Sequence, residues 1–116
     1  MLARKDLVDL RKEFPRIRKE GKIYDSPAFG LVVAFGPTSQ ELRGVQAAFI
    51  ISKKIDRRSV VRHEVKRKLS DAVSPLLPRL AKNVKLVFLA KQKAIVVTKE
   101  EVKLELETVL KRARLL

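Results

Sequence analysis

Three stretches of this chain carry apolar residues at helical spacing, with short apolar runs between them; the second and third are the clearer. That alternation limits the fold more than any other feature. From about residue 56 to 72, Val61, Val65, Leu69 and Ala72 fall within one quadrant of a helix. From Thr98 onward, Val102, Leu106, Val109, Leu110 and Ala113 keep a second stripe, opened by a capping-box pattern at Thr98 and Glu101. The runs AFGLVVAFG (28–36), VQAAFII (45–51) and VKLVFLA (84–90) have the length and the β-formers of strands. The order is therefore helix, strands, helix, strand, helix. The expected solution is an α+β sandwich, in which a small sheet and the helices packed on it share one core. At 116 residues the chain has room for a single domain.

The element ends are marked unevenly. Residues 4–20 place Leu7, Leu10, Phe14 and Ile17 at helical spacing, which predicts a short amphipathic helix interrupted or begun at Pro15 and stopped by Gly21. Asp56 or Ser59 is the expected cap of the second helix, and Pro75 and Pro78 bound its far end. In the last helix Glu100, Glu101 and Glu105 crowd the start and Lys111, Arg112 and Arg114 the end, which suits the helix dipole. Residues 94–97 (AIVV) fit either a strand extension or a packed loop.

Charge points to the partner class. Lys and Arg number 27 against 13 Asp and Glu, a net charge of +14. Such an excess attracts polyanions, nucleic acid first among them. The sequence contains no cysteine and a single histidine, His63, which excludes disulfides, thiolate chemistry and multi-histidine metal sites. No run approaches the roughly 18 apolar residues of a membrane helix, and neither a signal-peptide pattern nor a terminal lipidation motif is present. The expectation is a cytoplasmic protein with no membrane partner. No feature of the sequence fixes an oligomeric state.

The charge is concentrated. Residues 53–68 hold eight bases (Lys53, Lys54, Arg57, Arg58, Arg62, Lys66, Arg67, Lys68) against Asp56 and Glu64, a net of +6. On the helical wheel Arg62 and Lys66 edge the apolar stripe, His63 and Arg67 continue away from it, and Glu64 and Asp71 occupy the other flank. A basic run is often only a solvated face, but the charge of the whole chain favours phosphate contact. With five Phe and one Tyr a stacking platform is not evident, so phosphate and shape recognition fit better than base reading. A protein-only nuclease would need clustered carboxylates to hold metal ions. The acids here are mostly scattered among bases or along the last helix.

The run SKKIDRRSVVRHEVKRKLSDA resembles the signature of the bacterial ribonuclease P protein subunit, a Ser-Lys-Lys at a strand end followed by an Arg-Asn-Arg-x-x-Lys-Arg-type helix. Ser52, Lys53, Lys54, Arg62, Lys66 and Arg67 hold the matching positions. Phe14, Ile17 and Gly21 resemble the family's F-x-x-V-x-x-x-G, VKLVFLAK its penultimate strand, and the closing helix falls where expected. Two departures are His63 in place of the asparagine and Glu64 in place of the base after it. His63 still donates a hydrogen bond but cannot present an amide's donor and acceptor together.

The resemblance implies a ribosomal-protein-like α/β sandwich with a left-handed β-α-β crossover containing the signature helix, against the usual right-handed rule. It also implies a subunit with no catalytic residue of its own. An RNA subunit using magnesium removes the 5′ leader of precursor transfer RNA, and no cofactor is held by protein side chains. On this reading Lys53, Lys54, Arg57, Arg58, Arg62, His63, Lys66 and Arg67 meet the catalytic RNA. Arg11, Phe14, Arg18 and Val32 line a cleft for the leader, Val32 standing where the family often has an aromatic. Phe14 is equally readable as core beneath the first helix. The alternative function is a ribosomal-type structural RNA-binding protein with no part in cleavage.

Overall fold

The structure, a computed structural model, describes Pro15, residues 17–19, 21–35, 46–80 and 84–115. Its elements are β1 (Lys22–Asp25), β2 (Phe29–Phe35), β3 (Gln46–Ile50), α1 (Ser59–Val73), β4 (Val84–Ala90) and α2 (Lys99–Arg112). Short 3-10 helices span Ser74–Arg79 and Gln92–Ile95. The strands form one mixed sheet in the order β1-β2-β4-β3. β4 pairs antiparallel with β2, from Phe29↔Ala90 to Phe35↔Val84, and parallel with β3, from Gln46↔Lys85 to Ile50↔Leu89. A parallel pair cannot be joined by a tight turn, so α1 and residues 74–79 form a crossover between β3 and β4.

The expected α+β class holds, and the three expected strands lie within a residue of their predicted limits. β1 is an addition. Its sequence, KIYD, has too little alternation to read as a strand, and its order comes from pairing with β2 through Ile23↔Val32 and Tyr24↔Leu31.

Alternation along the strands divides the buried residues between two faces. Phe29, Leu31 and Val33 of β2 and Val84, Leu86 and Phe88 of β4 join Val65, Leu69 and Val73 of α1 and Val102, Leu106 and Leu110 of α2 in the main core. Phe88 centres it, edge-on to Phe29 at 5.5 Å and stacked with Phe49 at 5.2 Å between centroids. These three rings are used in packing. On the opposite face Val32, Ala34, Ala48 and Val87 form a smaller cluster with Ile17 from the N-terminal helical turn at 17–19.

The start of α1 differs from expectation, whereas its end at Val73 falls just ahead of Pro75 and Pro78 as expected. Its N-cap is Arg58, with no side-chain cap, and Ser59 is already helical. Asp56 lies too early to cap, because its Oδ1 accepts the Arg58 N–H at 2.8 Å. Pro75 falls in the first turn of the 3-10 helix that succeeds α1. Residues 94–97 are neither strand nor plain loop, since 94 and 95 end a 3-10 turn with Ala94 and Val97 buried. α2 has the predicted capping box. Thr98 Oγ1 accepts the Glu101 N–H, and Glu101 Oε2 accepts the Thr98 N–H, each at 3.2 Å.

Gly21 has a steric reason to be glycine. The chain leaves the helical turn through Gly21, whose N–H donates to Ile17 O at 2.7 Å. A Cβ there would sit 2.6 Å from that carbonyl oxygen and 2.7 Å from Val32 Cγ1. Gly21→Ala is therefore expected to cost about 1–3 kcal/mol, as overpacking does, and to lower the urea midpoint. An unchanged midpoint would show that this close approach is not required.

Candidate nucleic-acid interface

The basic segment begins where β3 ends. A turn at 52–55 is closed by Ile55 N–H donating to Ser52 O at 3.0 Å, while Lys54 N–H donates to Ser52 Oγ at 3.1 Å. Ser52 thereby shapes the backbone that carries Lys53 and Lys54, which gives the Ser-Lys-Lys pattern a local physical cause. Both lysines are exposed. Together with Arg57, Ser59 and Arg62 they line an open concavity of ≈ 660 Å³ at the start of α1.

The N-terminus of α1 strengthens the field there. With no side-chain cap and no acid in its first turn, its free N–H groups and the positive end of its dipole remain available to an anion. Arg62 is half-buried, and its Nε is buried without a hydrogen-bond partner. His63, Lys66 and Arg67 continue the surface along the exposed side of α1. Seven predicted residues, Lys53, Lys54, Arg57, Arg62, His63, Lys66 and Arg67, thus make one strip along the segment from the end of β3 into the third turn of α1.

Two bases of the tract are engaged within the protein. The Arg58 guanidinium grips Asp56 through Nε at 3.1 Å and Nη2 at 3.0 Å, so this predicted contact residue reaches the strip already paired. Lys68 turns inward. Its Nζ donates to Ala94 O at 2.9 Å, Ile95 O at 3.3 Å and Val97 O at 2.8 Å. Of the flanking acids, Glu64 is exposed and Asp71 forms an ion pair with Lys99 at 3.5 Å. Among the described residues no three His, Asp or Glu side chains gather as a metal-binding group.

The second sheet face carries the other predicted site. Arg18 is exposed beside it, whereas Arg11 and Phe14 lie outside the described residues. Val32 is on this face but only 2 % exposed, packed in the cluster with Ile17. It forms part of the floor of this face and offers little surface of its own. Lys85, which the sequence reading passed over, belongs here. It stands in register with Ala34 and Gln46, and burial pushes its ammonium pKa down. The signal was available in VKLVFLA, where Val84, Leu86 and Phe88 take the core side and leave Lys85 on the other.

Asp56 gives a test of the local geometry. The hydrogen bonds from the Arg58 side chain, then that from its backbone N–H, hold the carboxyl at about 2, below its ordinary 3.8. A depressed folded-state pKa stabilises above the ordinary value, and that contribution is lost as pH falls from 3.8 through about 2. The Asp56 carboxyl carbon is expected to titrate near 2 by NMR, with the 56–58 turn ordered at higher pH and loosening as the carboxyl protonates through about 2. A midpoint at the ordinary value would contradict the clamp.

The same architecture recurs in solved structures. A Staphylococcus aureus RNase P protein mutant with defective mRNA degradation activity superposes with a TM-score of 0.81 at 22 % identity, over 96 % of this chain and 90 % of that one. The RNase P protein from Thermotoga maritima gives 0.77 at 20 % identity, over 91 % and 96 %. In sequence, a ribonuclease P protein component of Chloroflexus aurantiacus is 34 % identical over 77 residues, 66 % of this chain and 53 % of the relative. One from a Synechococcus strain is 28 % identical over 89 residues, 75 % and 67 %. A third, from Nostoc punctiforme, is 39 % identical over 56 residues, so that the match spans 48 % of this chain and 40 % of the relative. The Ribonuclease P family matches residues 2–114, and with nearly the whole chain inside that match the protein belongs to the Ribonuclease P protein family.

Proposed function

We infer that this chain is the protein subunit of ribonuclease P. It docks on the catalytic RNA through the strip formed by Lys53, Lys54, Arg57, Arg62, His63, Lys66 and Arg67. The observation that carries this reading is the continuity of that strip with the uncapped start of a fifteen-residue helix, in a chain of the Ribonuclease P family. Seven side chains and a helix N-terminus give many phosphate contacts and little means of reading bases. Arg58 extends the strip when a phosphate competes with Asp56 for its exposed guanidinium, since an exposed pair of this kind is weak.

The second sheet face is the proposed seat of the precursor transfer RNA leader. Arg18 and Lys85 supply charge there, and Val32, Val87 and Ala48 give a firm floor. Phe14 and Arg11 are the further proposed leader contacts, the first in the cleft and the second on a phosphate. The protein contributes charge neutralisation and alignment, which lower the cost of bringing two polyanions together. The RNA subunit carries out the hydrolysis and holds the magnesium, and the complex works in the cytoplasm.

The direct test is cleavage of a leader-bearing precursor transfer RNA at low magnesium, with a bacterial catalytic RNA alone, the protein alone, and both together. Cleavage that is much faster with both supports the subunit reading. Cleavage by the protein alone would make it an enzyme in its own right. Tight RNA binding without stimulation would favour the ribosomal-type alternative.

Two further outcomes follow from the electrostatics. If about six to ten phosphates are met, affinity for the catalytic RNA falls by roughly three to five decades between 50 and 200 mM salt. A binding constant flat over that range contradicts the proposed interface. Glu64→Ala combined with Asp71→Ala is expected to leave the cleavage rate of the complex largely intact, since neither acid lies on the strip. Abolished cleavage would return carboxylates to the chemistry.

A further inference from the structure

Lys68 follows Lys66 and Arg67 directly, and by sequence it is one more cation of the same tract. Its geometry separates it from them. Lys66 and Arg67 are exposed, whereas Lys68 is half-buried and spans from α1 to the segment ahead of α2. An ammonium has three N–H donors, and all three have acceptors here: Ala94 O, Ile95 O and Val97 O at 2.9, 3.3 and 2.8 Å. Those carbonyls stand at the C-terminal end of the Gln92–Ile95 turn, where backbone acceptors run short of N–H partners and the local dipole is negative. Among the described residues no carboxylate takes part, and the acceptors that hold the cation are backbone carbonyls.

The location gives this contact leverage. Val97 immediately precedes Thr98, the cap of α2, and α1 meets α2 across the main core. Val65, Leu69 and Ala72 hold the apolar stripe of α1 in the core by packing, which is non-directional. Lys68 supplies a directional tie on one side of that stripe. Rotating α1 enough to break it would swing Arg62, Lys66 and Arg67, all carried on α1, out of line with Lys53, Lys54 and Arg57 on the segment before it.

We propose that Lys68 is a positioning residue: it fixes the rotation of α1 against the start of α2, presents the phosphate-binding strip in one orientation, and does not itself contact RNA. This rests on the strip being an RNA interface, as inferred above.

The test compares Lys68→Met, Lys68→Arg and Lys66→Met in the full chain, binding the catalytic RNA across a salt series. Each phosphate contact removed lowers the log–log salt slope by about 0.7 to 0.9. Lys66→Met is expected to show that decrease. Lys68→Met should leave the slope unchanged and displace the whole line to weaker binding. If the presenting orientation drops to about a tenth of the population, the displacement is about tenfold. Lys68→Arg keeps cationic N–H donors and should recover most of the loss. Should Lys68→Met fail to fold, Lys68→Gln retains two donors without the charge, and it should also keep the wild-type slope.

A slope decrease at Lys68 matching that at Lys66 would overturn the proposal by making Lys68 a phosphate contact. Unchanged affinity in a folded Lys68→Met would overturn it by showing that the tie presents nothing. A wild-type line flat in salt would remove the RNA interface itself, and the proposal with it. That outcome is distinct from the other two.

Discussion

β4 hydrogen-bonds to neighbours running in opposite senses, antiparallel to β2 and parallel to β3, and the placement of the basic strip follows from that. Because β3 and β4 are parallel, the chain must recross the sheet between them, and α1 is the recrossing element. Its apolar stripe packs in the same main core as Leu86 and Phe88 of that strand. The turn after β3 and the first turns of α1 therefore emerge together at one end of the sheet. Lys53, Lys54, Arg57 and Arg62, which are close in sequence, become close in space around one concavity. The outer side of α1 is then left to His63, Lys66 and Arg67.

A chain at +14 carries more repulsion than a compact state needs, and the structure distributes it. Arg58 is matched by Asp56, and Lys91 by Asp25 at 2.6 Å with a second bond to Ser26 O. Lys68 is held by carbonyls. Glu105 takes no part in an anionic patch; its Oε1 accepts from Ser26 Oγ at 2.5 Å and Ala28 N–H at 2.9 Å, pinning the β1–β2 turn to α2. Among the described residues, Lys53, Lys54, Arg57, Lys66 and Arg67 stay exposed where β3 passes into α1 and along it. The protein keeps positive charge where a polyanion can neutralise it and satisfies several of its other charges internally.

Much of this was legible in the sequence, for identifiable reasons. α2 announced itself because Thr98 and Glu101 cap it locally and its stripe has one period throughout. β2 and β4 were readable because their apolar runs are long and buried on both faces. β1 was not, since an edge strand of four residues draws its order from a partner rather than from its own pattern. In the candidate site, the positions on α1 followed from the helical wheel, which placed Arg62, His63, Lys66 and Arg67 correctly as neighbours. The wheel could not show Lys68 reaching residues 94–97, because that contact joins segments separated by 26 or more positions and uses backbone acceptors that leave no compositional trace. The burial of Val32 was hidden for the same reason. Its strand and face were right, but its burial depends on Ile17 arriving from elsewhere in the chain.

The central claim is that RNA covers the strip at the end of β3 and along α1. The most direct measurement is lysine-reactivity footprinting by mass spectrometry, with and without the catalytic RNA. The account predicts protection of Lys53, Lys54 and Lys66 on binding, continued reactivity of Lys103 and Lys111 on α2, and low reactivity of Lys68 in both states. Protection of Lys103 and Lys111 with Lys53, Lys54 and Lys66 still reactive would contradict it, and would place the RNA on the other helix.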